Sequence, residues 1–583
     1  MPVSTIDTDK DHVGPYNRLS ASQVNTWREC PRIWWYQNKL RLKFAQTPPL
    51  FLGRAVEECV TRVLLESPGL VAKNAPTTVM KGGADTLLPL YDDEIEKDLR
   101  VWYLSRVEAY WPDICEQMQK EWNSNPRKGG NWHDYSMQDY LDMCLTALEM
   151  HFEEVLTLQK SISNNELSDW RDGKTHDIRS PDRRNQSGPH PLAKTGECDI
   201  IEAWEIARPW FVDPDLEPFS QNAIHPGYWF QGEYDLVYRH SSKIKIVDLK
   251  ASRGVGDRSG NYVEQLKMYA MLWSKTHDGQ IPDSLEVWYL GVGKKKNIQV
   301  PDRTEINQIE SDIEELWTSI KGKEVGINEC PPSPSALRGF SEGGVQIDAP
   351  NQTRCETCEW SKLCPGGSGN DDYFQEESYL PNGEIKSYSL TQIEDLNPRI
   401  SMHCEIFNIT QNGENPPSII IQKDGGNAFV KIISKQSQGQ LTYDEGLEKG
   451  DMIRLVNVIP STNWKGEIEL KIDPHARLIK ADSAEPEDIG LFDFKARWNF
   501  SGRVAYTTYK YGIGKSGKPW VRKGLVLLNK NSRVTVEGWD NSWPALYNTL
   551  QQGDELVILN VSLDAWAIDV KANIEKNSSI YRM

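Results

Sequence analysis

No apolar run in this chain approaches the roughly 20 residues that a membrane helix requires, so no helical anchor is expected. Met1 to Asp11 is polar and charged, unlike a signal peptide, and the expected setting is cytoplasmic. Cysteine is sparse, 10 residues in 583. Without a secretory signal these read as thiols and metal ligands rather than as a disulfide framework. Positive charge is in deficit. Lys and Arg number 66 against 84 Asp and Glu, giving a net charge of −18. That excludes a uniformly basic coat but not a local basic patch. A phosphate-binding loop is missing as well: Gly514-Lys515-Ser516 has Tyr509 where the motif needs Gly, and no ATPase motor is visible. His176 and His190 lack metal-ligand spacing and read as solvated.

What is present centres on one stretch. Gly232-Glu233-Tyr234-Asp235-Leu236-Val237-Tyr238, a polar turn, and Lys243-Ile244-Lys245-Ile246-Val247-Asp248-Leu249-Lys250 read as a β-hairpin, rich in aromatic and β-branched residues. A turn centred between Ser241 and Ser242 sets Asp235 directly opposite Asp248. Alternation along a strand sends Asp248 and Lys250 to one face. Opposed β-carbons lie roughly 5 Å apart, where like charges repel, so two such carboxylates want a cation between them. Oxygen donors suit Mg²⁺ or Mn²⁺. The plain alternative is a solvated acidic hairpin, which Ile244, Ile246 and Leu249 argue against.

An Asp, a dozen residues and then Asp-x-Lys resembles the PD-(D/E)XK nuclease superfamily, and three further matches follow in order. Before the hairpin, residues 54–66 read as a helix whose apolar stripe is Val56, Cys59, Val60, Val63 and Leu64. Glu57 borders that stripe while Glu58 points away. In the resembled family a Gly-x-x-x-His helix supplies a metal ligand here; this chain has Gly53 and Glu57. After the hairpin, Asn261 to Ser274 reads as a helix that sets Gln265 and Tyr269 on one face. A Gln-x-x-x-Tyr helix at this place is similar to the site-lining motif of RecB-like nucleases. Last comes Cys355-x-x-Cys358, five residues and Cys364-Pro365, with Cys30-Pro31 far upstream. By spacing alone four such thiolates suit a zinc site or an iron–sulfur cluster. The pattern resembles the AddB-type iron–sulfur subgroup, in which one early and three late cysteines hold a structural 4Fe–4S cluster. The resemblance implies catalytic roles for Asp235, Asp248, Lys250, Glu57, Gln265 and Tyr269, and cluster ligation by Cys30, Cys355, Cys358 and Cys364.

The expected fold is an α/β restriction-endonuclease-like core with a helical N-terminal part and a 4Fe–4S staple, followed by two all-β OB-folds. Residues 1–18 read as a flexible leader, 19–366 as the nuclease domain with an insertion loop at 165–195, and 367–396 as a linker. Glu197 to Trp210 is expected as a strand. Beyond the linker an internal repeat emerges. Leu447-x-x-Gly450-Asp451 with Asn457-Val458 recurs 103 residues on as Leu550-x-x-Gly553-Asp554 with Asn560-Val561. The turn is similar to those of replication protein A OB-folds, placed at 397–481 and 492–583.

Residues 491–583 carry 13 Lys and Arg against 8 Asp and Glu, so the C-terminal stretch is basic in an acidic chain. Tyr506, Tyr509, Tyr511, Lys515, Lys518, Trp520, Arg522 and Lys523 mix rings with cations there, and Trp464 is the counterpart in the first copy. Stacking plus phosphate-seeking charge is the chemistry of single-strand binding, and a solvated hairpin is the competing reading. The whole implies a DNA nuclease, a single-strand exonuclease of repair, recombination or replication. It would be nucleoid-associated, with any helicase or repair partner acting in trans. Two alternatives are a non-catalytic single-strand binder with a degenerate nuclease fold and an iron–sulfur redox sensor.

Overall fold

The computed structural model describes residues 17–68, 95–174, 188–209 apart from 191, 222–240, 243–252, 261–321, 325–332, 338–340, 346–348, 355, 358–371, 389–412, 415–433, 436–437, 440–462, 465, 467–481, 489–514, 516–566 and 569–583. Trp464, Lys515, His176, most of the expected leader and linker, and residues 175–187 and 191 of the expected insertion lie outside them. The insertion's first part is instead helical, Asn164–Arg171, and His190, expected to be solvated, is buried and stacks on Trp170 at 3.9 Å. The chain divides into two compact units, one holding residues 17–39 and 43–357, the other 40–42 and 358–583. No described helix is long and apolar enough to cross a membrane.

The first unit contains helices α1 (Ala21–Glu29), α2 (Pro31–Trp34), α3 (Pro48–Leu65), α4 (Ile95–Ser124), α5 (Met137–Ser161), α6 (Asn164–Arg171), α7 (Ile200–Ala207), α8 (Asn261–Thr276) and α9 (Arg303–Ile320). Its main strands are β1 (Leu19–Ser20), β2 (Asn222–Ile224), β3 (Phe230–Glu233), β4 (Leu236–His240), β5 (Lys243–Lys250), β6 (Ser284–Tyr289) and β7 (Lys294–Ile298). The central sheet runs β4-β5-β6-β7. β5 and β6 are parallel, with α8 as their crossover, and the outer pairs are antiparallel. Val247 and Leu249 belong to the core formed with α3 to α7, so the alternating Asp248 and Lys250 look towards α8.

Several expectations are corrected here. The first hairpin arm is split: β3 pairs with β1 and β2, while β4 pairs with β5, so the chain changes sheets at Tyr234–Asp235. The strand expected at 197–210 is instead α7. Asp199 caps it reciprocally with Glu202, a signal for a helix start. Burial of its glutamates is compensated by Arg171, bidentate on Glu202, and by Arg208 on Glu205. Finally, α3 begins six residues earlier than expected, with proline in its first turn, where the missing N–H costs nothing. Asn17 and Arg18, placed in the leader, are tied to the unit: Trp317 donates to the Asn17 carbonyl, and buried Arg18 donates to Gln231.

The second unit holds two copies of one barrel. The first uses Ile400–Asn412, Asn415–Lys423, Gly426–Ile432, Met452–Thr462 and Ile468–Ile472, with Arg477–Lys480 added on the fourth strand. The second uses Trp498–Ile513, Pro519–Leu528, Arg533–Trp539, Glu555–Trp566 and Asp569–Ile574, with Ser579–Arg582 added. Each closes in the order 1-2-3-5-4-1, with strands three and five parallel. This is the five-stranded Greek-key barrel of an OB-fold. The repeated sequence is its turn into strand four. Gly450 and Gly553 take φ of +88° and +90°, open to glycine at little steric cost. Asp451 and Asp554 each accept the N–H three residues back, at 2.8 Å.

The expected linker is partly structural. Ile393 and Leu396 lie in the core of the second barrel, and Thr391 N–H donates to the Asn499 carbonyl. Trp360, fully buried, meets Tyr506 at 6.3 Å between ring centroids, and Arg503 donates to the Asn370 carbonyl.

Candidate active site and nucleic-acid surface

β4 and β5 pair Leu236 with Val247 and Val237 with Ile246. This is the register that sets Asp235 against Asp248. Asp235 stands one residue before β4, and its Oδ2 accepts the Leu249 N–H at 2.7 Å. The bond anchors the sheet-changing residue to the second hairpin arm.

Asp248 is 1% exposed. The Lys250 Nζ lies 2.6 Å from its Oδ2, and Gln265 Nε2 donates to its Oδ1 at 3.3 Å. Gln265 also donates to the Tyr269 hydroxyl at 3.0 Å. The expected pair on α8 therefore reaches the acid through one side chain. Tyr269 is seated by Tyr234, edge-on at 5.5 Å, and by Gly232. A Cβ at Gly232 would stand 2.9 Å from the Tyr269 ring and 3.0 Å from Leu272. Glycine is required there for close approach rather than for its backbone angles.

Glu57 comes from α3 and is open to solvent on one side. Burial by the surrounding walls, then the negative charges of Asp235, Glu233 and Asp248, push its carboxyl up to about 7 against the pull of Lys250. Glu57 thus belongs to the same electrostatic cluster, and Glu233, which sequence reasoning did not single out, joins it. Burial, reinforced by Asp235, also pushes Asp248 to about 7, although Lys250 opposes it. Asp235 is raised by burial against Lys250 and the Leu249 N–H. Burial disfavours the Lys250 ammonium, but Asp248 and Asp235 outweigh it and hold its pKa above the ordinary value. Adjacent carboxylates pushed towards neutrality, with one ammonium among several acids, mark a pocket whose negative charge exceeds its countercharge.

The donor chemistry fits a hard divalent ion. Asp248 Oδ2 is sealed from solvent and makes no hydrogen bond of good geometry, its countercharge being Lys250. Even so, among the described residues no group of three or more His, Cys, Asp or Glu is set to hold a metal. The cysteines expected in a 4Fe–4S staple form no such group either. Cys30 is buried at the junction of α1 and α2, Cys364 is buried, and Cys355 and Cys358 are half-buried. Burial pushes the Cys330 thiol up to about 12, and Cys30 adds a smaller push. The staple therefore rests on the spacing and the resemblance alone.

In the second barrel the expected binding residues divide between two faces. Strand pairing puts Trp520 and Arg522, joined by Lys510 and Trp539, on the outer face of the first three strands. Tyr509, Tyr511 and Lys523 lie on the opposite side, where the long hairpin runs past the barrel mouth. Tyr509 and Tyr511 are 47% and 60% exposed, their rings 6.1 Å apart. Lys518 is exposed near the tip. Tyr506 packs on Trp360, and Lys523 is held by Asp540 at 2.8 Å. Trp539 and Trp566, both about half exposed, were missed in the sequence. Trp539 meets Trp520 edge-on at 6.3 Å only because strands two and three pair.

Residues 18–365 match the family model of the PD-(D/E)XK nuclease superfamily. No curated protein sequence matches this chain. Among solved structures, a replication protein A heterotrimer bound to single-stranded DNA is similar at 11% identity, over 33% of this chain and 51% of that one, with a TM-score of 0.13. The match thus spans about half of that chain. A replication factor A related protein from Methanobacterium thermoautotrophicum is 13% identical over 15% of this chain and 81% of its own, TM-score 0.14. An OB domain from Thermoplasma acidophilum is 13% identical over 17% and 83%, TM-score 0.13. The barrel assignment rests on strand order, not on these likenesses.

Proposed function

Because the chain belongs to the PD-(D/E)XK nuclease superfamily, whose members are generally phosphodiesterases, we propose that it is a metal-dependent DNA nuclease. The observation that carries this reading is the meeting of Asp235, Asp248 and Lys250 at one end of the hairpin. Asp235 and Asp248 would hold Mg²⁺ or Mn²⁺, with Glu57 as third carboxylate. When bound, such an ion activates water and stabilises charge on the phosphate. Lys250 contributes a fixed positive charge at the attacked group. Gln265 orients Asp248 and, with Tyr269, positions the strand. The scissile phosphodiester bond is hydrolysed, one oxygen of the new phosphate coming from water.

The finer reading is a single-strand exonuclease of repair, recombination or replication, RecB-like and of the AddB iron–sulfur type, with both barrels gripping the strand. Incubating the full chain with end-labelled single and double strands, in Mg²⁺, Mn²⁺ or chelator, tests the activity. Metal-dependent shortening from one end supports it, and intact strands under every condition overturn it. Iron and sulfide in anaerobically purified protein test the cluster: near four of each per chain supports 4Fe–4S, and stoichiometric zinc overturns it.

A further inference from the structure

On the outer face of the second barrel, one carboxylate stands among three cations. Glu537 is 5% exposed. Its oxygens lie 3.4 Å from Lys510 Nζ, 3.3 Å from Arg522 Nη2 and 3.6 Å from Lys571 Nζ. The three cations come from the first, second and fifth strands, and Glu537 from the third. The acid is sunk while the cationic side chains are 40%, 38% and 44% exposed. Beside them Arg522 lies 5.8 Å from the Trp539 ring, which is itself 55% exposed.

The first barrel does not repeat this. At the register positions of Glu537 and Lys571 it has Lys431 and Glu469, since Val430 pairs with Leu470 as Val536 pairs with Ala572. The charges are exchanged, so the trio is particular to the second barrel.

We propose that Glu537 is a resident stand-in for a phosphate. It gathers the three cations when no strand is bound, and competes with the backbone of an arriving single strand. The proposal rests on the reading of the second barrel as a single-strand grip. Each phosphate neutralised by a cation frees condensed counterions from the strand, but Glu537, left in the site when its cations turn to the strand, keeps a negative charge there, so the trio counts for less than three free cations. The resident acid therefore lowers affinity and salt dependence together. It shifts binding away from bare charge and towards stacking on Trp539, which favours unpaired strands whose bases are free to stack.

The test uses the full chain in chelator, with a labelled oligothymidylate of about 30 nucleotides, long enough for two barrels. Affinity is measured by anisotropy between roughly 50 and 300 mM salt. Glu537→Gln is expected to tighten binding several-fold at low salt and to steepen the slope of log affinity against log salt by about 0.7, one extra cation's worth. Lys571→Met should then remove more slope in the Glu537→Gln background than in the native one. If Glu537→Gln does not fold, as judged by its melt, Glu537→Asp should steepen the slope in the same direction by less. Native binding with an unchanged slope in these variants, or equal effects of Lys571→Met in both backgrounds, overturns this inference alone. Absence of binding by native and variant chains overturns the reading of the barrel and the inference with it.

Discussion

The Lys250 ammonium lies 4.8 Å from the centroid of the Tyr262 ring, while the same nitrogen stands 2.6 Å from Asp248 Oδ2. Tyr262 opens α8 and shares a face with Gln265 and Tyr269. Three side chains of one helix thus bear on the acid–lysine pair. A partly desolvated cation–π contact is worth about 1–2 kcal/mol. Tyr262→Leu should lower kcat about 10-fold with KM little changed, and Tyr262→Phe should restore it. Steady-state cleavage kinetics decide this, and a matched loss in both variants would contradict it.

Lys250→Met removes the fixed charge beside the acids. Losing one such electrostatic stabiliser typically costs about 10²–10³ in rate. The expected result is a fall of that order in kcat, with the strand still bound, as read by single-turnover cleavage beside anisotropy.

Gly232 is a packing requirement beneath Tyr269. In Gly232→Ala the new methyl meets the ring and Leu272, an overpacking that costs about 1–3 kcal/mol. The melt should drop by several degrees, and cleavage should weaken because Tyr269 and Gln265 move with the ring. An unchanged melt would mean that the close approach does not exist.

The pH dependence has a definite sign. Glu57 and Asp248 titrate near 7 in the folded, metal-free chain, against about 4 when unfolded. A carboxyl that holds its proton more tightly when folded stabilises the fold at acidic pH. That contribution fades as pH rises from about 4 and is gone above 7. The chelated protein should therefore lose stability across that window through these two groups, and Asp248→Asn should flatten the loss. Mn²⁺ should raise the melting temperature more at pH 8 than at pH 6, since the ion must displace those protons. Thermal melts at both pH values, with and without metal, check each part.

The hairpin register was legible because alternation and a symmetric turn leave a single pairing for Asp235, and Glu57 because its helix has a clear apolar stripe. What escaped was set by tertiary pairing. Nothing in Glu233-Tyr234-Asp235 announces that the chain leaves one sheet for another there. α7 looked like a strand because its apolar residues form an almost unbroken run, yet the Asp199–Glu202 cap was in the sequence to be read. Tyr506 looked like a binding residue, but it packs against Trp360 from the supposed domain boundary. Trp539 and the Glu537 cluster join side chains from four strands, which no local pattern records.

The most direct test is whether Asp235 and Asp248 share a divalent ion. Electron paramagnetic resonance of Mn²⁺ titrated into the full chain should show a bound ion at neutral pH. That ion should be lost in Asp235→Asn and in Asp248→Asn while Glu58→Gln keeps it. Native-like Mn²⁺ binding in both aspartate variants would contradict the account.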